Sequence, residues 1–322
     1  MVIDVSKIRS RRLRVRHLTT YHYNQPVTKS VHRLHLRPVQ DWKQSVNYYS
    51  LSVTPEVDTG RVTEFEDVFG NFGARFEVTK PYTELSIRAE SEIEVLDYDP
   101  FEFTKNLKVR PKFPLSWMPW EVKMLQPYLT PLELPDTQLS ELYAYAQSFV
   151  ERNHGDVLET LFDINLTLFR EYKYTPGITD FSTTPFDVYS HRCGVCQDFS
   201  NLFITIARLL WLPARYVCGY IYTGNTGESR AQSDASHAWV QVYVPSVGWK
   251  GFDPTNGVLP HLDHVRVGVG RNYRDTAPVT GTLYSPANES MTIDVEVADI
   301  SPTFEPASAM STEQVGGRLG GG

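Results

Sequence analysis

Cys193-Gly194-Val195-Cys196-Gln197-Asp198-Phe199-Ser200-Asn201-Leu202-Phe203-Ile204-Thr205-Ile206-Ala207-Arg208-Leu209-Leu210-Trp211-Leu212 is the stretch on which the rest of the chain is organised. From Val195 onward Phe199, Leu202, Phe203, Ile206, Ala207 and Leu210 recur at helical spacing and define one buried stripe. Gly194 gives a pliable start and Pro213 a stop, so the spacing predicts a helix with Cys196 in its first turn. There the unpaired N–H groups and the positive end of the helix dipole favour thiolate over thiol, and the thiolate is the nucleophile. A cysteine at this point is either a nucleophile or a small core residue, and the downstream sequence decides between them.

Downstream, strand patterns cover 214–222, 237–244 and 247–252, and Pro245-Ser246-Val247-Gly248 reads as the turn of a hairpin. His237 opens the first hairpin strand and Asp253 closes the second. Their midpoint is residue 245, at the turn, so the two should face each other across the ladder within a residue or two. Asp253 could then hold one imidazole nitrogen of His237 and leave the other for Cys196, a Cys-His-Asp arrangement of nucleophile, base and orienter.

Upstream, short strands with frequent turn signals run from Leu13 to about Leu96 and predict an all-β sandwich. Turns are expected at 24–26 and 67–73. His17, His22, His32 and His35 fall in this region as satisfied or surface histidines, because His32 and His35, three apart on a strand, point to opposite faces. Arg11, Arg12, Arg14 and Arg16 form a basic run best read as a solvated strand edge or tail. Seven prolines between 97 and 136 mark a linker, in which Trp117 and Trp120 imply packing. Helical patterns follow over 139–150, capped at Asp136-Thr137, and over 156–172. Strand patterns return at 279–284 and 291–300, and the Gly/Ser-rich stretch from Ala307 to Gly322 reads as a disordered tail. The expected organisation is a leader over 1–11, a β-rich domain over 12–98, the linker over 99–136, a catalytic domain over 137–304 and a tail over 305–322.

Composition narrows the class. The formal charge of −7 argues against nucleic-acid partners, which need Lys and Arg to neutralise phosphates. No window approaches the ~20 apolar residues of a membrane helix. The N-terminus lacks the apolar core of a secretory signal, and three cysteines make no disulfide framework, so a soluble, reducing-compartment protein is expected.

Several of these stretches resemble the bacterial transglutaminase-like family. They are Gly194-Val195-Cys196-Gln197-Asp198-Phe199, Pro213 to Tyr220, Ser236-His237-Ala238-Trp239-Val240-Gln241-Val242-Tyr243, Gly248 to Gly257 and Asp263 to Arg271. His17 to Tyr21 and Asp67 to Asn71 are similar to the β-rich domain that accompanies that family's core. The resemblance implies an α+β fold: a sandwich-like N-terminal domain followed by a papain-like transglutaminase core, its nucleophile helix packed on an antiparallel sheet. It implies acyl transfer through a thioester on Cys196, with His237 as base, Asp253 as its orienter, and a protein or peptide carboxamide as donor. The Cys196 N–H is the expected first donor to the oxyanion, with Tyr174 and Gln197 as candidates for the second. No calcium-loop spacing of acids is visible, so no metal or other cofactor is expected. A bacterial cytoplasmic setting is expected from the missing secretory signal together with this resemblance. Oligomeric state and the choice between hydrolysis and cross-linking stay open.

Other readings compete. Cys193 and Cys196 form a C-x-x-C, but a redox centre would want a preceding strand of a βαβ unit. His191, Cys193, Cys196 and Cys218 could ligate zinc, yet the second half of a paired C-x-x-C is missing. Asp198 suits a helix-start acid, Trp239 and Trp249 suit core or cleft wall, and His264 and Arg271 a substrate contact. The terminal glycines could in principle serve as an acyl donor, though a tail is the simpler reading. A catalytically silent scaffold that binds a protein partner is the alternative function.

Overall fold

Alternation in the first strand sets up the architecture. The computed structural model describes residues 9–57, 62–105, 107–179, 182–224 and 236–302. In β1 (Ser10–Val27) Leu13, Val15, His17, Thr19, Tyr21 and Tyr23 are buried, while the residues between them face outward. The strand runs through the turn expected at 24–26, with only a register shift between His22 and Val27 against its partner. β2 (Ser30–Leu34), β3 (Gln44–Thr54), β4 (Thr63–Glu66), β5 (Phe72–Val78) and β6 (Tyr82–Leu96) follow.

With β13 (Val279–Leu283) and β14 (Glu289–Asp299) from the far end of the chain, two four-stranded antiparallel sheets result, ordered β14-β1-β6-β3 and β13-β2-β5-β4. A core of Tyr21, Tyr23, Leu85 and Ile87 from the first, and Leu34, Phe76 and Val78 from the second, fills the space between them. β13 pairs with β2, and β14 with β1. Sequence order groups these two strands with the unit that follows the linker, whereas hydrogen bonding groups them with the N-terminal one. Strand identity is local, but pairing over more than 240 residues leaves no local trace.

The basic run is not an edge. β1 lies second in its sheet, and its outward arginines meet the glutamates of neighbouring strands: Arg14 to Glu92 at 2.8 Å, and Arg16 to Glu90 and Glu296 at 3.3 Å each. Residues 1–8 of the expected leader and the stretch from 303 onward lie outside the described residues.

The proline-rich segment carries α1 (Glu102–Lys105) and α2 (Pro119–Leu129), the latter opened by Pro119 at its first position. Trp117 is buried and donates Nε1–H to the Trp211 carbonyl at 3.0 Å, whereas Trp120 is exposed. α3 (Asp136–Arg152) begins earlier than its apolar pattern. Its N-cap is Pro135 without a side-chain bond, so Asp136 sits inside the first turn rather than capping it. α4 (Val157–Glu171) starts one residue after the expected 156, because Asp156 is its cap and accepts from Leu158 N and Glu159 N at 3.0 Å each. β7 (Lys173–Tyr174), α5 (Pro185–His191) and β8 (Cys193–Gly194) precede the cysteine helix α6 (Cys196–Leu209). α5 is too short to show helical periodicity, but Thr184 and Asp187 cap it reciprocally.

The second sheet system is β11-β10-β9-β12, built from β9 (Ala214–Ile221), β10 (His237–Val244), β11 (Gly248–Phe252) and β12 (His264–Gly270). Phe199, Leu202, Phe203, Ile206 and Ala207 of α6 pack with Val240, Val242 and Val244 on one face of this sheet. Val265 and Val267 pack with Leu13, Val15, Ile93 and Val295 of the sandwich, so the two units share a core. The chain is therefore α+β, with an N-terminal antiparallel β unit followed by a helix-on-sheet core. Among the described residues no helix is long and apolar enough to cross a membrane.

β12 is an edge strand, and the sandwich closes its edge with two side-chain amides. Gln44 accepts from Arg266 N at 2.8 Å and donates to Arg266 O at 2.9 Å. Asn71 accepts from Val269 N at 2.8 Å and donates to Val269 O at 2.7 Å. A bulge between Arg266 and Gly268 lets Arg266 and Val269, three apart, present both polar groups to one edge. Asp67 holds Asn71 in turn, accepting from its backbone N–H at 2.9 Å and its Nδ2 at 3.0 Å. Asn71→Leu would leave the Val269 N–H and C=O buried and unpaired. We expect it to lower unfolding free energy by about 2–5 kcal/mol in urea titration; a loss below ~1 kcal/mol would show that water replaces the amide.

Two sandwich histidines give the fold an acid sensitivity. His17 lies between Tyr220 Oη and Thr19 Oγ1 at 2.9 Å each, and His32 reaches Ser30 Oγ at 2.9 Å. Burial pushes both imidazoles down to about 4 from the ordinary 6.5. Because the folded value lies below the unfolded one, their stabilising effect is complete above pH 6.5 and is lost as pH falls toward 4. A shift of this size corresponds to at most about 3 kcal/mol per imidazole. Urea midpoints should fall across that window, and His17→Gln should flatten the slope.

Candidate active site

Cys196 is the first helical residue of α6, after the N-cap Val195. Its thiol, like those of Cys193 and Cys218, is free. Asp198 is taken up by the helix start. Its Oδ2 accepts from Val195 N at 2.8 Å and from Thr179 Oγ1 at 2.7 Å, which is the structural role expected for it.

The β10–β11 ladder pairs Val244 with Gly248 and Val240 with Phe252, bringing His237 and Asp253 together at its open end. His237 Nε2 lies 2.8 Å from Asp253 Oδ2, and both side chains are buried. Burial alone would strip the imidazole of its proton, but the Asp253 charge and hydrogen bond outweigh it. Cys196 is near enough to the ring to act in the same raising direction. With Nε2 committed to the carboxylate, Nδ1 is the nitrogen left for sulfur. Cys196, His237 and Asp253 are thus gathered in the order of contact read from the sequence.

Asp253 is the most heavily solvated group of the site, and its solvent is protein. Oδ1 accepts from the N–H groups of Thr255 at 3.0 Å and Asn256 at 3.2 Å. Oδ2 accepts from His237, from Asn256 Nδ2 at 2.7 Å and from His264 Nε2 at 3.0 Å. Burial would raise this carboxyl, but the His237 charge and the His237 and His264 hydrogen bonds carry it well below the usual carboxylate range.

Sequence reading missed Asn256 and gave His264 a different role. His264 is buried on Asp253, at ring-centroid distances of 6.0 Å from His237 and 5.2 Å from Trp239. The strand that places it was not among those expected; its signal is the alternation His264-Val265-Arg266-Val267, interrupted by Gly268 at the bulge. Arg271 is exposed and paired with Asp275. Trp239 is fully buried beside both imidazoles, whereas Trp249 packs edge-on against Tyr128 and Tyr243.

Of the oxyanion candidates, Tyr174 lies close enough to Cys196 for the thiol to act on it; burial first, then Cys196, raise its hydroxyl. Gln197 lines a cleft of about 960 Å³ between α2, α6 and the segment after β12, together with Thr183, Asn201, Arg208 and Tyr273. Cys218 is fully buried and its thiol is pushed up to about 12 by burial, so it is a core residue rather than a nucleophile. Among the described residues, the one group with metal-ligand spacing is His237, Asp253 and His264, whose ligand atoms lie within 4.8 Å. It contains no cysteine, which removes the geometric basis of the zinc alternative. Its separations of 2.8 and 3.0 Å are those of hydrogen bonds already made.

Comparison with known proteins places the chain in a family and a fold. Residues 13–94 match the bacterial transglutaminase-like N-terminal region, and residues 143–254 the transglutaminase-like superfamily. An uncharacterized protein of Mycobacterium tuberculosis is 33% identical over 306 residues, spanning 90% of this chain and 93% of that one. A crystal structure from Cytophaga hutchinsonii, provisionally named a cysteine protease, superposes with a TM-score of 0.71 at 24% identity over 92% of this chain and 93% of that one. A protein-glutamine gamma-glutamyltransferase of Pseudomonas aeruginosa is 33% identical over 92 residues, 26% of this chain and 12% of that one.

Proposed function

We propose that this chain, which belongs to the transglutaminase-like superfamily, is a cysteine acyl-transfer enzyme acting on carboxamide or peptide bonds of a protein or peptide. The observation that carries the reading is the buried His237–Asp253 pair at the ladder end, with Cys196 at a helix N-terminus within reach of its free nitrogen. A merely structural core has no use for an imidazole held charged beside a thiol.

The chemistry follows from the contacts. The Cys196 thiolate adds to the carbonyl carbon, forming a C–S bond and an oxyanion. The Cys196 N–H at the helix start is the first candidate donor to that oxyanion. Collapse breaks the C–N bond as the His237 imidazolium gives its proton to the departing ammonia or amine. Water or a second amine then attacks the thioester, His237 takes the incoming proton, and thiolate is released. Asp253 stays ionised throughout and holds the ring. The Pseudomonas relative is named for glutamine gamma-glutamyl transfer, which is one reaction of this class.

Iodoacetamide alkylation across pH, with the modified cysteine identified by mass spectrometry, tests the reading. Cys196 should react fast at pH 6, His237→Ala should slow it at least ~100-fold, and Cys218 should stay unmodified. Uniformly slow reaction with an apparent pKa near ~8.5 would mean that no imidazole-activated thiolate exists, and the partner-binding scaffold would replace the enzyme.

A further inference from the structure

One carboxylate oxygen in this site serves three donors, and only one of them belongs to the Cys-His-Asp set. Oδ2 of Asp253 receives His237, Asn256 Nδ2 and His264 Nε2 within 3.0 Å. The third donor is built in with care. The His261 N–H points at His264 Nδ1 at 3.4 Å, so Nδ1 accepts and the ring proton sits on Nε2, facing Asp253. Trp239 stands edge-on to the ring, and the amides of Gln44 and Asn71 pin β12, on which His264 is the first residue. Among the described residues, four further titratable groups line the water-sized space beside His264: Lys43, Tyr98, His261 and Arg266. Burial lowers the His264 imidazole, and of the charges acting on it only Asp253 works the other way, with His237 and His261 adding to the lowering.

We propose that His264 is a positioning residue of the acyl-transfer centre: it competes with His237 for Asp253 Oδ2 and thereby weakens the grip of the carboxylate on the His237 imidazolium. This rests on the acyl-transfer reading above. The physical argument is that a hydrogen bond to a charged oxygen disperses its charge. A lone Asp253 would over-stabilise the His237 proton, which has to leave for the departing amine. Sharing the oxygen keeps the ring oriented yet acidic enough to act. The carboxylate does not depend on His264 for its position, because Oδ1 is held by two backbone N–H groups and Oδ2 by Asn256.

The test is NMR titration of ¹³C-labelled His237 in wild type, His264→Leu and His264→Gln, alongside Cys196 alkylation. His264→Leu removes the competing donor, so the His237 pKa should rise by about 0.5–1 unit while Cys196 remains reactive at pH 6. His264→Gln, whose amide N–H can reach Oδ2, should restore the wild-type titration. A role in packing alone predicts the opposite pattern: lowered melting temperature in both variants and a His237 pKa that stays or falls. An unchanged His237 pKa in His264→Leu overturns the proposal, as does a glutamine variant that behaves like leucine. Should His264→Leu not fold, His264→Gln against His264→Asn, whose shorter amide falls short of Oδ2, makes the same comparison. Failure of the underlying enzyme reading shows elsewhere, as an unreactive Cys196 in wild type, and the His237 titration still decides whether His264 shares the carboxylate.

Discussion

On the proposed acyl-transfer reading, Asp253→Ala should abolish turnover, and it should cost the fold several kcal/mol. Five donors point at this carboxylate: two backbone N–H groups, the Asn256 amide and two imidazoles. Alanine leaves all of them facing a buried apolar surface. Removing one partner from a buried charged network costs about 3–5 kcal/mol, so urea denaturation should show a loss of that order. The catalytic effect is separable from it. Without the Asp253 charge, burial acts on His237 opposed only by Cys196, and the ring holds its proton less firmly. The imidazolium that would hold the thiolate and protonate a leaving amine is then depleted.

Loss of an orienting carboxylate of this kind lowers turnover by roughly 10⁴-fold in Ser-His-Asp enzymes, and a similar loss is expected here. Asp253→Asn makes the distinction sharp. It keeps the size of the side chain and so should recover much of the stability, but it recovers neither the charge nor the rate. Cys196 alkylation at pH 6 measures the second effect on folded protein. A rate in Asp253→Asn within threefold of wild type would sink the assigned role of the carboxylate.

What the sequence discloses about this site depends on range. Cys196, His237 and Asp253 were legible because each is fixed by something local: a helix start, the first residue of a strand, the last of a hairpin. The hairpin midpoint fell at residue 245 where the observed register is centred on 246, an error of one position that did not separate the pair. His264 was not legible in the same way. It reaches Asp253 from β12, which lies on the other side of β9, and nothing in the spacing of residues 253 and 264 reports that crossover. The same holds for Gln44 and Asn71, polar residues of a β-rich domain whose partners lie some 200 positions downstream. The strands over 279–299 were found as strands and misplaced as members, for the reason that alternation reveals a buried face but not the sheet that buries it. α5 escaped because seven residues carry too little periodicity, while its capping residues Thr184 and Asp187 were there to be noticed.

The tightest constraint behind the site is a glycine. Gly219 lies in β9, the strand between β10 and β12, opposite His237 on one side and Arg266 on the other. A Cβ at this position would stand 2.0 Å from the Val265 carbonyl oxygen and 2.7 Å from the Trp239 ring. Neither neighbour can yield cheaply. The carbonyl belongs to β12, which the sandwich amides hold in place, and Trp239 is fully buried against both imidazoles. Gly219→Ala should therefore cost about 3 kcal/mol or more, the upper end for overpacking a filled core. Because the relief would come through Trp239 or β12, Cys196 alkylation at pH 6 should fall at least ~10-fold in whatever protein still folds. Gly248→Ala is the control. That glycine has φ +85° in the hairpin turn and no atom within 4 Å of the added carbon, so backbone strain is the only penalty. About 1–2 kcal/mol of stability should be lost, with alkylation unchanged. Equal effects of the two substitutions on Cys196 would mean that the alignment of His237 is set by the hairpin alone, and that the strand-to-strand contact behind it is ordinary core.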